Sequence, residues 1–303
     1  MTRERATAFV PGHVTAFFSA HPADSPAAAG SRGAGLTLTD GVKTTVELGG
    51  DIGDTPDSPS LSLNGAPAAI GAVEDVLAAL DLAETASAAD ITPVADAVSV
   101  SIETDLPIGA GFGVSGAAAL GAALGANAAA DAGRSENELV RLAHEAEVER
   151  GTGLGDVVAQ ARGGVPIRLE PGAPGHGELD GIPAQARVEY VTFGERSTEA
   201  VLAGDTTALS TVGERALDRL RADPRLPTLM DAAREFAASA DLLVPEVSEA
   251  IEAVDAATDD DASGAAMAML GRTAFALGTG LSDAGYDPAV CHTHPAGARL
   301  VDH

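Results

Sequence analysis

Between residues 98 and 131 the chain changes its hydrophobic rhythm across a turn that has almost no side chains. Val98-Ser99-Val100-Ser101-Ile102-Glu103-Thr104 alternates apolar and polar residues with period two, which predicts a strand. The Ala/Leu run from about Val114 to Asp131 predicts a helix. Between them lies Pro107-Ile108-Gly109-Ala110-Gly111-Phe112-Gly113-Val114-Ser115-Gly116-Ala117. Glycines at every second position let successive backbone N–H groups approach one anion, and the positive end of the following helix points at the same place. The natural guest of such a turn is a polyphosphate.

Other readings compete for the same loop. Gly111-x-Gly113-x-x-Gly116 formally matches the dinucleotide fingerprint. That fingerprint needs a second parallel strand after the helix and an acidic residue about 20 positions on. Here the pattern stays helical through Ala132, and Ser135 opens another helical segment. No lysine follows the glycines, so the loop is not a P-loop either. A tight structural turn with no ligand remains open on the loop alone.

Composition excludes several classes of partner. Forty-five acidic residues against 18 basic ones give a formal charge of −27, and Lys43 is the only lysine. Such a surface repels nucleic-acid phosphates and anionic membranes. It stays hydrated when salt screens charge, which predicts a halophilic, cytoplasmic protein. With 45% apolar residues the chain can still build a core. The single cysteine, Cys291, rules out an internal disulfide framework or a cysteine-based zinc site and is expected to be buried or inert. The N-terminus, Met1 to Val10, carries charges but no apolar core of signal-peptide length, and no stretch approaches the uninterrupted apolar length of a membrane helix.

At 303 residues two lobes are expected. The first covers 1–170 and carries the glycine loop; the second covers 186–303. In the first lobe the pattern predicts a short strand at Ala6–Val10 and a hairpin over Leu36–Leu48 turning at Asp40-Gly41. Helices follow over Ala68–Leu80, over Val114–Asp131, and from a Ser135-x-x-Glu138 capping box to Arg150, and then a strand at Val165–Leu169. Pro171–Pro183 has little pattern and reads as a crossover. The second lobe begins with a strand at Arg187–Phe193, continues with helical stretches near 206–221, 227–243, 245–257 and 262–277, and ends in a strand near Ala298–Val301. Strands preceding helices without regular βαβ alternation make the class α+β.

Carboxylates in the first half are candidates for chemistry. Glu145, Glu147 and Glu149 close one helix, and alternating helical residues point in different directions, so at most one turns inward. Gly151-Thr152-Gly153-Leu154-Gly155-Asp156 follows. Its glycines allow a backbone path that aims Asp156 into a cleft as general base toward a hydroxyl; capping of the next helix is the competing role. A nucleoside triphosphate would bring magnesium, which takes few protein oxygens; Ser115 and one helix carboxylate suffice. For Ser115 the alternative is helix capping alone.

These residues carry a family resemblance. Pro107-x-Gly109-x-Gly111-Phe112-Gly113-Val114-Ser115 resembles the central phosphate-binding motif of the GHMP kinases, the superfamily of galactokinase, homoserine kinase, mevalonate kinase and phosphomevalonate kinase. Val10-Pro11-Gly12-His13-Val14 resembles their first motif, and Gly151–Asp156 their catalytic-aspartate loop. More narrowly, the stretches Val10–Phe18, Thr152–Gln160 and Met267–Gly271 are similar to the archaeal pantoate kinases, with likeness along nearly the whole chain.

The resemblance implies a GHMP-kinase-like two-lobed fold, with a ribosomal protein S5 domain 2-like N-lobe, a ferredoxin-like C-lobe and the active site between them. It implies ATP-dependent phosphorylation of pantoate to 4-phosphopantoate in coenzyme A biosynthesis, with Mg2+, and a homodimer as a possible assembly. Roles carry over residue by residue. Pro107, Gly109, Ala110, Gly111, Phe112, Gly113, Val114, Ser115 and Gly116 hold the ATP phosphates. Ser115 and Glu147 engage magnesium, with Glu145 as the fallback, and Asp156 faces the acceptor hydroxyl beside Gly153. His13 stands where many relatives place Lys or Arg, which suggests a changed acceptor site in which His13 hydrogen-bonds the hydroxyl or the carboxylate. Arg32 is a candidate clamp for that carboxylate and Arg272 for transferred charge; surface ion pairing is the alternative for both. The glycine-rich third motif of the relatives is replaced by Met269-Leu270-Gly271-Arg272-Thr273-Ala274. Ser62, Asn64 and the helix after Ala68 are placed at the base pocket by lobe geometry. Another hydroxylated acceptor (homoserine, shikimate or a mevalonate derivative) and a non-catalytic nucleotide-binding regulator remain as alternatives.

Overall fold

A computed structural model describes residues 4–49, 60–80, 98–195, 204, 206–257, 264–269 and 271–302. Two long strands form its spine: β1 (Glu4–His21) and β2 (Gly30–Leu48) pair antiparallel along almost their whole length. β3 (Ser60–Leu63), β4 (Ala66–Pro67) and β5 (Val98–Thr104) extend the sheet beyond β2. Among the described residues only β3 and β5 pair in parallel. β6 (Val165–Glu170) pairs with the other end of β2, β7 (Glu178–Ile182) pairs with β6, and the C-terminal β12 (Arg299–Asp302) returns to lie beside β1. The second half of the chain therefore ends in the first sheet.

A second, four-stranded antiparallel sheet runs β11 (Ala289–His292), β8 (Arg187–Thr192), β10 (Thr273–Leu277), β9 (Ala265–Ala268). Around the two sheets lie α1 (Gly71–Ala79), α2 (Val114–Ala129), α3 (Glu136–Arg150), α4 (Asp156–Arg162), α5 (Thr207–Ala222), α6 (Leu226–Ser239), α7 (Pro245–Ala257) and the single turn α8 (Gly280–Asp283). Among the described residues no helix is long and apolar enough to cross a membrane.

Small residues explain how α2 reaches the sheet. Its Gly121 lies against Thr44 and Val10, and Gly125 against Val46, where a Cβ at Gly125 would come within 2.9 Å of the valine Cγ2. Larger side chains would lift the helix off β1 and β2, and with it the glycine loop at its N-terminus. The capping box at Ser135 and Glu138 forms as the sequence predicts, and Gly151 ends α3 in the left-handed region at φ 68°.

Three expectations are corrected. Asp40-Gly41 is not a hairpin turn: β2 runs straight through it. Pro11 pairs with Gly41 and His13 with Thr37, so Leu38, Thr39 and Asp40 form a bulge. The bulge is held from the second sheet, by Tyr190 donating to Asp40 at 3.0 Å and by a bridge from Leu38 to Thr293. Partners on both flanks of β2 override the local turn signal. Next, the helical stretch expected over 262–277 is the β9–β10 pair. Its Ala- and Met-rich residues are buried on all sides, and periodicity does not separate a short buried strand from a helix. Finally, the Pro171–Pro183 crossover contains β7, which is polar because it lies at the sheet edge.

Candidate active site

Alternation builds the glycine loop. Ala110, Phe112 and Val114 point inward and are buried, and the Phe112 ring packs on Tyr190 with centroids 4.7 Å apart. Burying such a side chain is worth roughly 1.5–3 kcal/mol, enough to fix a short loop. The residues between are Gly109, Gly111 and Gly113 at φ 71°, 93° and 63°, a path closed to most side chains. Gly113 leads directly into α2, whose first-turn N–H groups open on the same side.

The third-motif segment closes against this loop at Gly271, where a Cβ would stand 2.0 Å from the Ala110 carbonyl oxygen. Thr273 Oγ1 donates to the Ala110 carbonyl at 2.9 Å, and a Cβ on Gly111 would meet the Met269 carbonyl oxygen at 2.9 Å. Leu270 lies outside the described residues. Arg272 is paired with Glu246 of α7 and lies beside Gly194.

The expected inward turn falls to Glu147. It is 3% exposed and accepts from Ser115 Oγ at 2.6 Å, whereas Glu145 pairs with Arg141 on the helix surface. Burial pushes the Glu147 carboxyl up to about 7, against the Ser115 and Thr152 hydrogen bonds. Among the described residues no cluster of three metal-ligating side chains exists. One carboxylate and one hydroxyl next to a phosphate cradle fit magnesium, which takes its remaining oxygens from phosphate and water.

Asp156 is the first residue of α4 and keeps a quarter of its side chain exposed. Its Oδ1 bonds His13 Nδ1 at 2.7 Å. His13 is fully buried; burial lowers its pKa and favours the neutral ring, so Nδ1–H donates to a carboxylate that stays ionised. Burial alone would raise the Asp156 carboxyl, but the His13 hydrogen bond and the Arg168 charge hold it below the usual range. Gly153 separates the two acids. A Cβ there would stand 2.7 Å from Glu147 Oε2 and 3.6 Å from Asp156 Oδ2. His144, Glu147, Gly153, Gly155, Asp156 and Val157 line one cleft. Gln160, one turn after Asp156, donates to the Gly113 carbonyl at 2.9 Å and ties α4 to the head of α2.

Arg32 is not free toward this cleft. Its Nε donates to the Leu169 carbonyl at 2.6 Å and Nη1 to Glu214 at 2.5 Å. Asn64 spends both ends of its amide on the Thr104 backbone, and so anchors β5. A buried cation that acts on Asp156 is instead Arg168, which no motif announced. It is 2% exposed, its Nε and Nη1 have no hydrogen-bond partner, and burial lowers its pKa to about 10. Gly155 leaves the space it needs: a Cβ there would lie 2.7 Å from Arg168 Nε and 2.6 Å from Ser31 Oγ. His144, which bonds the Ala29 carbonyl at 2.9 Å, completes the wall. The one signal in the sequence was an arginine within the otherwise apolar strand-like stretch Val165–Leu169.

Comparison with known proteins agrees with this geometry. Residues 71–164, which contain the loop and both acids, match the family model for the GHMP kinases N-terminal domain. A pantoate kinase of Thermococcus kodakarensis is 36% identical over 89% of this chain and 86% of its own length. That of Methanospirillum hungatei is 34% identical over 92% and 89%. A solved structure described as a phosphotransferase related to the CoA biosynthesis pathway superposes with a TM-score of 0.82 at 29% identity, covering 98% of this chain and 99% of that one. With a glycine-rich loop, a pinned aspartate and relatives that match about nine tenths of its length, the chain belongs to the pantoate kinases of the GHMP kinase family.

Proposed function

We propose that the protein transfers the γ-phosphoryl group of ATP to the primary alcohol of pantoate, giving 4-phosphopantoate and ADP for coenzyme A synthesis. What carries the reading is the meeting of three groups at the head of α4: the glycine loop, whose Gly113 lies against Asp156, the ionised Asp156 held by His13, and Arg168 beside Gly155, with Nε and Nη1 unpartnered. A hydroxy acid has one group for each of the last two. The kinship with pantoate kinases supports the choice of acceptor.

In this reading the loop amides and the α2 N-terminus hold the triphosphate. Ser115 Oγ and Glu147 hold Mg2+, which when bound neutralises charge on the phosphate oxygens. Arg168, with Ser31 and His144 beside it, receives the pantoate carboxylate in a two-point contact. Asp156 Oδ2 then faces the acceptor hydroxyl. The hydroxyl oxygen attacks the γ-phosphorus, its proton passes to Asp156, and the bond from the γ-phosphorus to the bridging oxygen breaks, releasing ADP. His13 orients Asp156 without adding a charge. Arg272 needs to leave Glu246 before it can meet a phosphate.

A coupled ADP assay in high KCl with pantoate, homoserine, shikimate and mevalonate side by side tests the proposal. ADP release that depends on pantoate alone is expected. Release with another acceptor instead overturns the substrate, and tight ATP binding without turnover on any acceptor would make the protein a nucleotide-binding regulator.

A further inference from the structure

Arg168 leaves β6 where the ladders around it give out. β2 pairs with β6 only at Gly33–Arg168 and Ala34–Ile167, and the register of β6 with β7 shifts between Arg168 and Glu170. The carbonyl of Leu169, the next residue, is held by a side chain: Arg32 Nε donates to it at 2.6 Å. Arg32 is held in turn. Glu214 of α5 takes Arg32 Nη1 at 2.5 Å, His21 Nε2 at 3.0 Å, and the Ser19 hydroxyl. Ser19 and Arg32 face each other across β1 and β2. Gly213, the residue before Glu214, rests directly on the Phe18 backbone, and Ser210 of the same helix accepts from the Ala20 N–H at 3.0 Å. A helix from the second half of the chain is thereby fixed to the spine at the one place where its carboxylate reaches Arg32.

We infer that Glu214 and Arg32 are positioning residues for acceptor recognition: through the Leu169 carbonyl they fix the bulged end of β6 and so aim the Arg168 guanidinium at the acceptor's carboxylate. The inference rests on the assignment of Arg168 to that carboxylate. An arginine fork in a bidentate contact loses selectivity when its backbone turns by a small angle, since both N–H groups must align together. A tie that serves only to pack α5 on the sheet would affect all acceptors alike.

The test compares kcat/KM for pantoate with that for its primary amide, which keeps the hydroxyls and loses the charge. Measurements are made on the full chain for the wild type, Glu214→Gln, Arg32→Lys, Arg168→Ala and the Glu214→Gln/Arg168→Ala double variant. Glu214→Gln is expected to reduce the pantoate-to-amide preference about tenfold, through KM for pantoate, with kcat within about twofold of wild type. Arg32→Lys, whose single ammonium does not span Glu214 and the Leu169 carbonyl together, is expected to do the same and serves if Glu214→Gln folds poorly. In the Arg168→Ala background Glu214→Gln should change the preference no further. An equal loss for both acceptors in Glu214→Gln and Arg32→Lys, with Arg168→Ala still collapsing the preference, overturns the positioning role alone. An unchanged preference in Arg168→Ala overturns the carboxylate assignment itself, and the inference falls with it.

Discussion

Replacing Glu147 by Gln should make the ligand-free protein more stable at alkaline pH while removing its activity. Glu147 is 3% exposed and its carboxyl is moved by burial from 4.5 to about 7. Because the folded pKa lies above the unfolded one, the native state binds the proton more tightly. The stability this proton provides is fully present below about pH 4.5, declines as pH rises, and is gone above about pH 7. At about 1.36 kcal/mol per pKa unit, the full cost of charging Glu147 inside the fold is roughly 3 kcal/mol. Glutamine has the same shape, still receives the Ser115 hydroxyl, and never charges.

The measurement is a pair of urea titrations without nucleotide or metal. At pH 8 the glutamine variant should be more stable than the wild type by roughly 3 kcal/mol, and at pH 5 by less than about 1 kcal/mol. Taking the difference between the two proteins cancels the many other acids of this chain, which titrate alike in both. With Mg2+ and a non-hydrolysable ATP analogue at pH 8 the order should reverse, since only the wild type offers a carboxylate to the cation and gains stability by binding. Calorimetry near pH 7 in buffers of different ionisation heat should show proton release when Mg·nucleotide binds to the wild type and none in the variant. A stability difference that stays flat from pH 5 to pH 8 would refute the assignment of a raised, cation-seeking Glu147.

Three further outcomes are expected. Asp156→Asn should retain nucleotide affinity by fluorescence titration and lose turnover by about 10²–10⁴-fold, the usual weight of a positioned base; retained turnover would remove Asp156 from proton transfer. Gly153→Ala drives a methyl to within 2.7 Å of Glu147 Oε2, and its KM for magnesium should rise while pantoate binding to the nucleotide-free protein, by calorimetry, changes less. Melting temperature should rise with KCl, because a formal charge of −27 repels itself until screened; a fall on adding salt would end the halophile reading.

The parts of this molecule that were legible in its sequence are those in which local chemistry decides. The glycine loop and the Ser135 capping box each follow from residues within a few positions of one another, and both stand where they were expected; helical spacing also predicts that at most one of the three glutamates turns inward, but only the family resemblance pointed to Glu147. The hairpin at Asp40-Gly41 and the helix over 262–277 failed for the opposite reason. Their conformation is set by strands far away in the chain: β1 and β5 flanking β2, and β8 beside β10. Arg32 and Arg168 show the same division within the site. An arginine in a glycine-rich stretch reads as a ligand clamp, yet its fork is taken by Glu214, 182 positions later. An arginine inside an apolar strand reads as an oddity until the fold leaves it buried without partners.

The charges of the cleft explain why a histidine suits position 13. The cleft is lined by two acids, Glu147 and Asp156, and the buried Arg168 acts on Asp156 from behind Gly155. A lysine at position 13 would pair with Asp156 and hold it ionised, but it would also set a second cation beside the aspartate and the acceptor. The carboxylate of a hydroxy acid would then have two cations to choose between, and one of them is next to the aspartate that must receive the alcohol. A neutral His13 supplies the hydrogen bond that orients Asp156 and adds no second cation beside it. On the proposed reading the acceptor is held by its acid end, with its alcohol end left toward the aspartate. His13→Lys should accordingly keep Asp156 ionised yet weaken the preference for pantoate over its amide. An undiminished preference in that variant would show that orientation of the acceptor does not depend on where the cleft keeps its positive charge.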